Sequence, residues 1–383
     1  MISNLLSLTS IFKTFGYIII AIVILLLMVL IHELGHYIAG KILKFKINEF
    51  SVGFGPKILQ RKNKTGELIS LRAFPLGGYC AFEGEGENGN KNPEAFNNQK
   101  PWKRLIVLFS GAFFNLLSAI IFSFILLLTS GFDYVQVKNV DQDSINYGYL
   151  QQGDVIYGVG DEKINFVSDK YFATLIVDDF DKYSGQDLKS EYSFTEDGKV
   201  YYMVKENQTF MIERDGEKMT VSGFVNVFYD EKGECAGWTL LESEDKTEEF
   251  SIKSYKYTFW EALRECVPFT FKWAWKVFVI FGQLITGKLS LTSLGGPVTT
   301  VKILADQTAQ GTLMVWLPLI AVNLAVFNLL PIPALDGCQM LFVGIEWIRK
   351  KPIKQEVVNM INNLGLILLL GFVLVIDIMQ MLI

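Results

Sequence analysis

Two histidines and a glutamate near the amino terminus have the spacing of a hydrolytic metal site. His32 and His36 are the only histidines of the 383-residue chain, and Glu33 lies between them. Residues four apart share one face of an α-helix, so both imidazoles can bind one metal ion while the adjacent carboxylate points at its open position. The spacing is typical of zinc hydrolases. The plainer alternative is a helix that carries these residues without a metal, at a high cost beside an apolar run.

A catalytic zinc ion needs a third protein ligand, and Asp336 is the best candidate. It closes an apolar run in the segment Asn328–Gly337, which reads NLLPIPALDG. The two prolines of this segment loosen a helix, so the carboxylate is presented within the membrane boundary. The alternative for an Asp at this place is the capping of a helix terminus.

The composition predicts an α-helical membrane protein. Half of the residues are hydrophobic, and the mean hydropathy is positive. Four uncharged runs are long enough to cross about 30 Å of hydrocarbon, which predicts four transmembrane helices. These runs are Thr14–Ile31, Leu105–Phe132, Gln307–Leu335 and Val357–Ile376.

The distribution of charge predicts the orientation. Residues 133–250 carry 26 acidic and 11 basic residues, whereas the rest of the chain carries 14 acidic and 24 basic residues. The basic clusters flank the apolar runs, and by the positive-inside rule they face the cytoplasm. Both termini and the acidic block then lie outside the cytoplasm, and the metal site lies near the cytoplasmic side. These clusters contain Lys41, Lys44, Lys46, Lys100, Lys103, Arg104, Arg349, Lys350, Lys351 and Lys354.

This topology brings Asp336 to the depth of the two histidines only if a single crossing separates the first and third spans. The segment Phe259–Ile285 is apolar and aromatic but carries five charged residues. We therefore interpret it as an amphipathic helix that lies at the outer interface rather than as a further span.

Other classes of site have little support. The chain has no basic stripe and no glycine-rich phosphate loop, which argues against nucleic acid and nucleotide as partners. Its four cysteines have no CxxC spacing, which argues against a zinc–thiolate site. Outside the cytoplasm, Cys235 and Cys266 either form a disulfide or remain buried free thiols.

The order of several motifs resembles the bacterial site-2 protease family, which consists of intramembrane zinc metalloproteases with a PDZ domain that act in regulated intramembrane proteolysis. The resemblance covers nearly the full length, and the first and last motifs are its most specific parts. One departure is Cys338, where relatives often carry a glycine. The motifs are His32–His36, Gly53–Pro56, Pro75–Tyr79, Gly111 with Asn115, Gly295–Pro297 and Asn328–Gly337.

The resemblance implies a zinc-dependent intramembrane endopeptidase in the bacterial plasma membrane, in contact with membrane lipid. It implies one Zn²⁺ per chain, bound by His32, His36 and Asp336, with Glu33 as the catalytic base. The implied substrates are transmembrane segments of single-pass proteins that another protease has already trimmed, such as anti-sigma factors, or remnant signal peptides.

The resemblance also implies residues that hold the substrate or support the transition state. Asn328 lies about two helical turns before Asp336 and would point towards the site if the helix continued. Three short strands with glycine turns between residues 48 and 86 predict a membrane-associated β-hairpin or sheet, and the family pairs such an edge with an extended substrate. The remaining candidates are Gly77, Gly78, Tyr79, Gly111, Asn115, Gly296 and Pro297. For each of them, a purely structural role in a turn or a helix contact is the alternative.

The acidic block resembles an inserted, extracytoplasmic PDZ-like α+β domain. Residues 147–164 are similar to a PDZ loop and strand, and residues 210–221 to a later hairpin, with an insertion around 166–208. Such a domain binds carboxy-terminal tails or acts as a size filter, and its degenerate loop favours the filter. The predicted organisation is a first span at 1–47, a β region at 48–86, a loop and second span at 87–132, the PDZ-like domain at 133–250, an interfacial helix and GGPV segment at 251–306, a third span at 307–338, and a loop and fourth span at 339–383.

Two rival functions remain. A membrane protease of the CAAX-prenyl type also has a helical HExxH motif, but it needs a downstream Glu ligand and leaves Asp336 unexplained. A membrane scaffold with a structural metal is the more distant rival, and the carboxylate of Glu33 beside an open ligation position argues against it.

Overall fold

The computed structural model describes residues 2–85, 92–140, 142, 144–160, 162–163, 192–196, 199–229, 235–239, 250–287 and 295–382. The chain forms two compact units. The first combines Met1–Leu126 with Phe259–Ile383, and the second is Leu127–Thr258. The second unit is therefore an insertion into the first, with wider bounds than the predicted domain at 133–250.

Seven described helices build most of the first unit. Three of them contain a segment long and apolar enough to cross a membrane, namely Phe12–Ile42, Pro101–Thr129 and Gln355–Gln380. Their large apolar side chains are widely exposed, as at Ile367, which suits lipid rather than water. The helices are α1 (Ile2–Ile42), α2 (Pro101–Thr129), α3 (Phe259–Ile285), α4 (Pro297–Gln310), α5 (Leu313–Leu329), α6 (Asp336–Arg349) and α7 (Gln355–Leu382).

The prediction of one continuous span over Gln307–Leu335 is wrong. α4 ends at Gln310 and is followed by Gly311, whose backbone is left-handed with a φ of 76°. α5 ends at Leu329, before Pro331 and Pro333. The apolar helix within this run has only 17 residues, about 26 Å at 1.5 Å per residue. Asp336 consequently begins a new helix instead of ending a span.

Small side chains allow the helices of the first unit to approach closely. Ala21 of α1, Ala119 of α2, Ala274 of α3 and Ala321 of α5 belong to one buried cluster, together with Leu304 of α4. α1 and α2 also meet at Gly35, where an added Cβ would lie 2.4 Å from the carbonyl oxygen of Ser110. Contacts between small residues are the usual means by which membrane helices pack.

The predicted interfacial segment is a continuous helix, α3, with the charged residues that the sequence suggested on it. Thr270 is hydrogen bonded to Ser123 of α2 at 2.9 Å, and the rings of Phe281 and Phe327 of α5 meet edge to face. α3 is thus tied to the helix bundle on two sides. Its placement at the outer interface stays a prediction.

The predicted short strands are found in a long β-hairpin that follows α1 directly. Its strands are β1 (Ile47–Lys62) and β2 (Leu68–Phe82). Repeated bulges fold the hairpin back on itself, so that Val52 lies opposite both Gly78 and Leu71. The base of the hairpin packs through Ile47 and Phe82 into a second buried cluster.

The described part of the second unit is an antiparallel sheet. The strands follow the order β10-β3-β4-β7-β8-β9, with β5 beside β4 and β6 beside β7. The first and last strands of the unit, β3 and β10, pair with each other, so the two ends of the insertion lie side by side. The strands are β3 (Phe132–Val137), β4 (Val155–Val159), β5 (Glu162–Lys163), β6 (Tyr192–Glu196), β7 (Lys199–Arg214), β8 (Glu217–Tyr229), β9 (Cys235–Thr239) and β10 (Phe250–Tyr255).

The structure tests only some of the predictions for this unit. The hairpin at residues 210–221 is confirmed, because Phe210 pairs with Val221 across β7 and β8. The predicted insertion around 166–208 stays a prediction, because residues 164–191 lie outside the described part and the start of β7 at Lys199 does not decide it. Cys266, which belongs to the first unit, is a buried free thiol rather than half of a disulfide.

Candidate metal centre

Three side chains predicted as metal ligands meet in the first unit. Helical spacing places His32 and His36 on one face of α1, and the turn after α5 brings in Asp336, the first residue of α6. Asp336 Oδ2 lies 2.9 Å from His32 Nε2 and 3.3 Å from His36 Nε2, and the two Nε2 atoms are 3.0 Å apart. Both imidazoles are buried, with 7% of each residue exposed.

The three atoms form a triangle of the size that one metal ion requires. Ligands about 2.0–2.1 Å from a tetrahedral zinc ion are about 3.3 Å apart, close to the observed edges. Two imidazole nitrogens and one carboxylate oxygen are also a donor set that zinc accepts. Within the described residues, His32, His36 and Asp336 are the one group of His, Cys, Asp or Glu with this geometry.

Residues of α2 contact both imidazoles. His36 Nδ1 donates a hydrogen bond of 2.8 Å to the carbonyl oxygen of Val107, which leaves the lone pair of Nε2 for a metal. At Gly111, an added Cβ would lie 2.4 Å from His36 Nε2 and 2.6 Å from His32 Cε1. Gly111 is therefore a packing position beneath the imidazoles.

Two amide side chains flank the other nitrogen of His32. The Nδ2 atoms of Asn115 and Asn328 lie 3.3 Å and 3.4 Å from His32 Nδ1. The helix does not continue from Asn328 to Asp336, so the condition under which the sequence predicted the position of Asn328 is not met. Asn328 nevertheless reaches the site, because α5 ends one residue later and the chain turns back.

Glu33 faces an open pocket of about 310 Å³ that also contains His32, Asp336 and both amides. The backbone N–H of Cys80, in β2, lies near the Glu33 carboxylate. Gly78 lies next to it, since a Cβ there would be 3.6 Å from Glu33 Cγ and 2.7 Å from the carbonyl oxygen of Ser51. The predicted β region therefore borders the pocket.

Tyr79 and Gly77 hold the hairpin rather than face the metal ligands. The hydroxyl of Tyr79 accepts a hydrogen bond of 2.6 Å from Arg72, which also bonds Glu49 at 2.9 Å. Burial raises the pKa of the Glu49 carboxyl, but hydrogen bonds from Ser70, Arg72 and Tyr79 outweigh it and hold the pKa below its usual value. Gly77 has a φ of 110° and lies against the ring of Phe54.

Gly296 and Pro297 lie at the start of α4, next to Asp377 of α7. The Asp377 carboxylate accepts hydrogen bonds from the backbone N–H groups of Val298 and Thr299, at 3.2 Å each. A Cβ on Gly296 would lie 2.4–2.6 Å from that carboxylate. Asp377 was not predicted as a site residue, although a lone acidic residue in an apolar membrane helix is a signal of a buried polar contact.

The loop that presents Asp336 is supported by α7. Ala334 has a left-handed backbone with a φ of 73°, and its N–H donates a long hydrogen bond of 3.4 Å to Asn362 Oδ1. Pro333 lies on Gly365, where an added Cβ would be 2.0 Å from Pro333 Cβ. Neither Asn362 nor Gly365 was found from the sequence, because no local spacing connects them to Asp336.

This support gives a first prediction. Gly365→Ala should displace Pro333 and the loop before Asp336, at a cost of about 1–3 kcal/mol for overpacking. We expect a lower thermal unfolding temperature and weaker metal binding in the purified protein. Gly371→Ala is the matched control. Gly371 lies on the same helix, and an added Cβ there meets no atom within 4 Å. Equal behaviour of the two variants would contradict the role given to this contact.

Two imidazoles and a carboxylate around one point, with a free carboxylate in the adjoining pocket, define the class of metal-dependent hydrolases. The apolar helices place this one among membrane proteins. The model of peptidase family M50 matches residues 20–372, so the chain belongs to that family. The resemblance drawn from the sequence motifs and the assignment as a metalloprotease are confirmed.

Relatives from several bacteria carry the name "Putative zinc metalloprotease". The protein from Fusobacterium nucleatum is 30% identical over 367 residues, which cover 94% of this chain and 96% of the relative. The protein from Clostridium perfringens is 27% identical, with 94% and 97% covered. The protein from Helicobacter pylori is 28% identical over 335 residues, with 85% and 87% covered.

Proposed function

We propose that this chain is a zinc-dependent endopeptidase that hydrolyses peptide bonds within the transmembrane segments of single-pass proteins. The observation that carries the proposal is the convergence of His32 and His36 of α1 with Asp336 of α6, beside the carboxylate of Glu33. The names of the relatives and the donor set both point to zinc.

His32, His36 and Asp336 would hold the zinc ion. Zinc in a three-ligand site lowers the pKa of water towards about 7 and polarises a carbonyl group. The hydrogen bond from His36 Nδ1 to Val107 orients that ring, and burial keeps both imidazoles away from bulk solvent. These residues would thus hold the ion in a preformed site, and the ion would supply the Lewis acid for the scissile carbonyl.

Glu33 is placed to act as the general base. Its carboxylate takes a proton from the attacking water and passes it to the nitrogen of the leaving amine. Glu33 lines the pocket together with His32 and Asp336, and the N–H of Cys80 lies near its carboxylate. Asn328, which also lines the pocket, would donate from its amide to the charge that develops on the carbonyl oxygen.

The β-hairpin would receive the substrate. A transmembrane helix hides its carbonyl groups in its own hydrogen bonds, so it must unwind before cleavage and needs replacement partners. The β2 segment around Gly78 borders Glu33, where an unwound segment could add as a further strand. Exposed apolar side chains at the far end of the hairpin, among them Phe54, Ile58 and Leu59, suit contact with lipid.

The membrane arrangement completes the proposal. Three helices have the length to cross, and α5 would be the fourth crossing, made short because the metal ligand loop follows it. With basic flanks in the cytoplasm, both termini and the inserted unit lie outside. The insertion would act as a PDZ-like filter that admits only substrates already trimmed by another protease, such as anti-sigma factors or remnant signal peptides.

The position of Asp336 argues against a membrane protease of the CAAX-prenyl type. That type of site needs a downstream Glu as its third ligand, whereas a carboxylate oxygen of Asp336 lies within 3.3 Å of both imidazoles here. The pocket also contains a carboxylate that is not needed as a ligand, which argues against a purely structural metal.

A reconstituted assay tests this function. We expect the purified full chain in lipid vesicles to cleave a single-pass helical substrate with a short outer segment. Cleavage should fall below about a tenth after chelation and return with added zinc, since metal supplies most of the activation of water. The same substrate with its folded outer domain intact should be cleaved more slowly. Cleavage that resists chelation would refute the metal mechanism.

A further inference from the structure

One stripe of α2 faces both imidazoles. Val107, Gly111 and Asn115 follow each other at intervals of four residues, so they lie on one face of the helix. Val107 accepts the hydrogen bond of His36, and Gly111 leaves space for both rings. Asn115 occupies the third position of this stripe, next to His32.

The tautomer of His32 determines whether its neighbours must provide a hydrogen-bond donor or an acceptor. Its Nε2 points at the carboxylate of Asp336 and at His36 Nε2. A neutral imidazole that uses Nε2 as a metal ligand carries its proton on Nδ1, and that N–H needs an acceptor. Among the described residues, the amides of Asn115 and Asn328 are the side chains recorded next to this nitrogen.

Asn115 can supply the acceptor at no steric cost. It is fully buried, and its Oδ1 has no hydrogen-bond partner among the described residues. The two ends of an amide have nearly the same shape, so a rotation of 180° about the last side-chain bond exchanges oxygen and nitrogen. After this rotation Oδ1 takes the position of Nδ2, 3.3 Å from His32 Nδ1.

Asn328 is the less suitable acceptor. Both amides line the pocket, but Asn328 is partly exposed whereas Asn115 is fully buried, so the amide of Asn328 has the better access to a bound substrate. The Nδ1–H of His32 needs only one acceptor. Asn115 is the better choice, because its buried amide cannot replace this contact with a hydrogen bond to water. The two asparagines therefore have different tasks.

We propose that Asn115 is a positioning residue that accepts the Nδ1 proton of His32 through Oδ1 and thereby orients Nε2 for zinc. This places Asn115 in the support of the metal instead of among the substrate-binding residues, where the sequence analysis put it. Asn328 remains the amide that contacts the substrate. The inference rests on the proposed zinc site.

The test compares zinc affinity in four variants of the full chain, measured by competition with a chelator in detergent. Asn115→Leu, which has a similar volume and no acceptor, should bind zinc about 10–100-fold more weakly than the native chain. Asn115→Asp keeps an acceptor and should bind zinc at least as tightly. Asn328→Leu should keep native zinc affinity but lose cleavage activity. His32→Ala should lose zinc altogether.

Several results would overturn the inference. These are native zinc affinity in Asn115→Leu, a loss of more than tenfold in Asn115→Asp, or a loss in Asn328→Leu as large as that in Asn115→Leu. The Asp variant keeps the test valid even if the Leu variant does not fold. Undiminished zinc binding in His32→Ala would instead refute the proposed function itself, so the two failures are distinguishable.

Discussion

Replacement of Glu33 by Gln should abolish most peptide cleavage while the zinc content stays at one ion per chain. Gln has the same shape as Glu but cannot take a proton from water at neutral pH. General bases contribute about 10²–10⁴-fold to a rate, and we expect a loss of this size. Glu33 lies in the pocket but outside the triangle of ligand atoms, so the metal should remain.

The measurement combines zinc analysis with cleavage of a helical substrate in vesicles. Glu356→Gln is the matched control, because it makes the same change at an exposed position in the first turn of α7. In cells, membrane peptides that accumulate with Glu33→Gln and not with the control would be candidate substrates. Native turnover by the Gln variant, or loss of its zinc, would contradict the assignment of Glu33 as base.

Local spacing made part of the site predictable. The four-residue interval between His32 and His36 determines their common face in any helix, and the glutamate between them follows from the same geometry. The short strands around Phe50 and Ile69 could be predicted because glycine turns mark where each strand ends. These predictions needed no knowledge of the tertiary fold.

Asp336 was predicted from topology, and its local structure was predicted wrongly. Basic flanks and apolar runs placed it at the depth of the histidines, and the structure brings it within 3.3 Å of them. The run before it was nevertheless read as a single helix. Hydropathy counts apolar residues whether they lie in a helix or in a loop, so it did not detect the breaks at Gly311 and after Leu329.

The partners that α7 contacts were beyond the reach of sequence reasoning, although Asp377 alone signals a buried polar contact. Gly365 beneath Pro333 and Asp377 beside Gly296 connect segments that are far apart in the chain. Close approach of two backbones has no periodic signature, so an isolated glycine in an apolar helix is not informative by itself. The support of the metal ligand loop is therefore a property of the tertiary packing.

Gly111→Ala adds only one methyl group, but it should severely disrupt the metal site. The new methyl group would lie 2.4 Å from His36 Nε2 and 2.6 Å from His32 Cε1, far inside van der Waals contact. The rings have little room to yield, because His36 is bonded to Val107 and both are buried. Closely packed interiors transmit such a shift to the atoms around it.

We expect Gly111→Ala to weaken zinc binding by about 10²-fold or more, at least as much as the loss of a residue that orients a ligand, and to lose cleavage with it. Zinc competition and the vesicle assay measure both effects. Gly16→Ala in α1 is the control, since a Cβ there meets nothing within 4 Å. A Gly111→Ala protein that binds zinc as tightly as this control would show that the imidazoles do not depend on the close approach of α2. Selective loss of zinc in the folded Gly111→Ala protein would identify α2 as the template on which the two histidines are held.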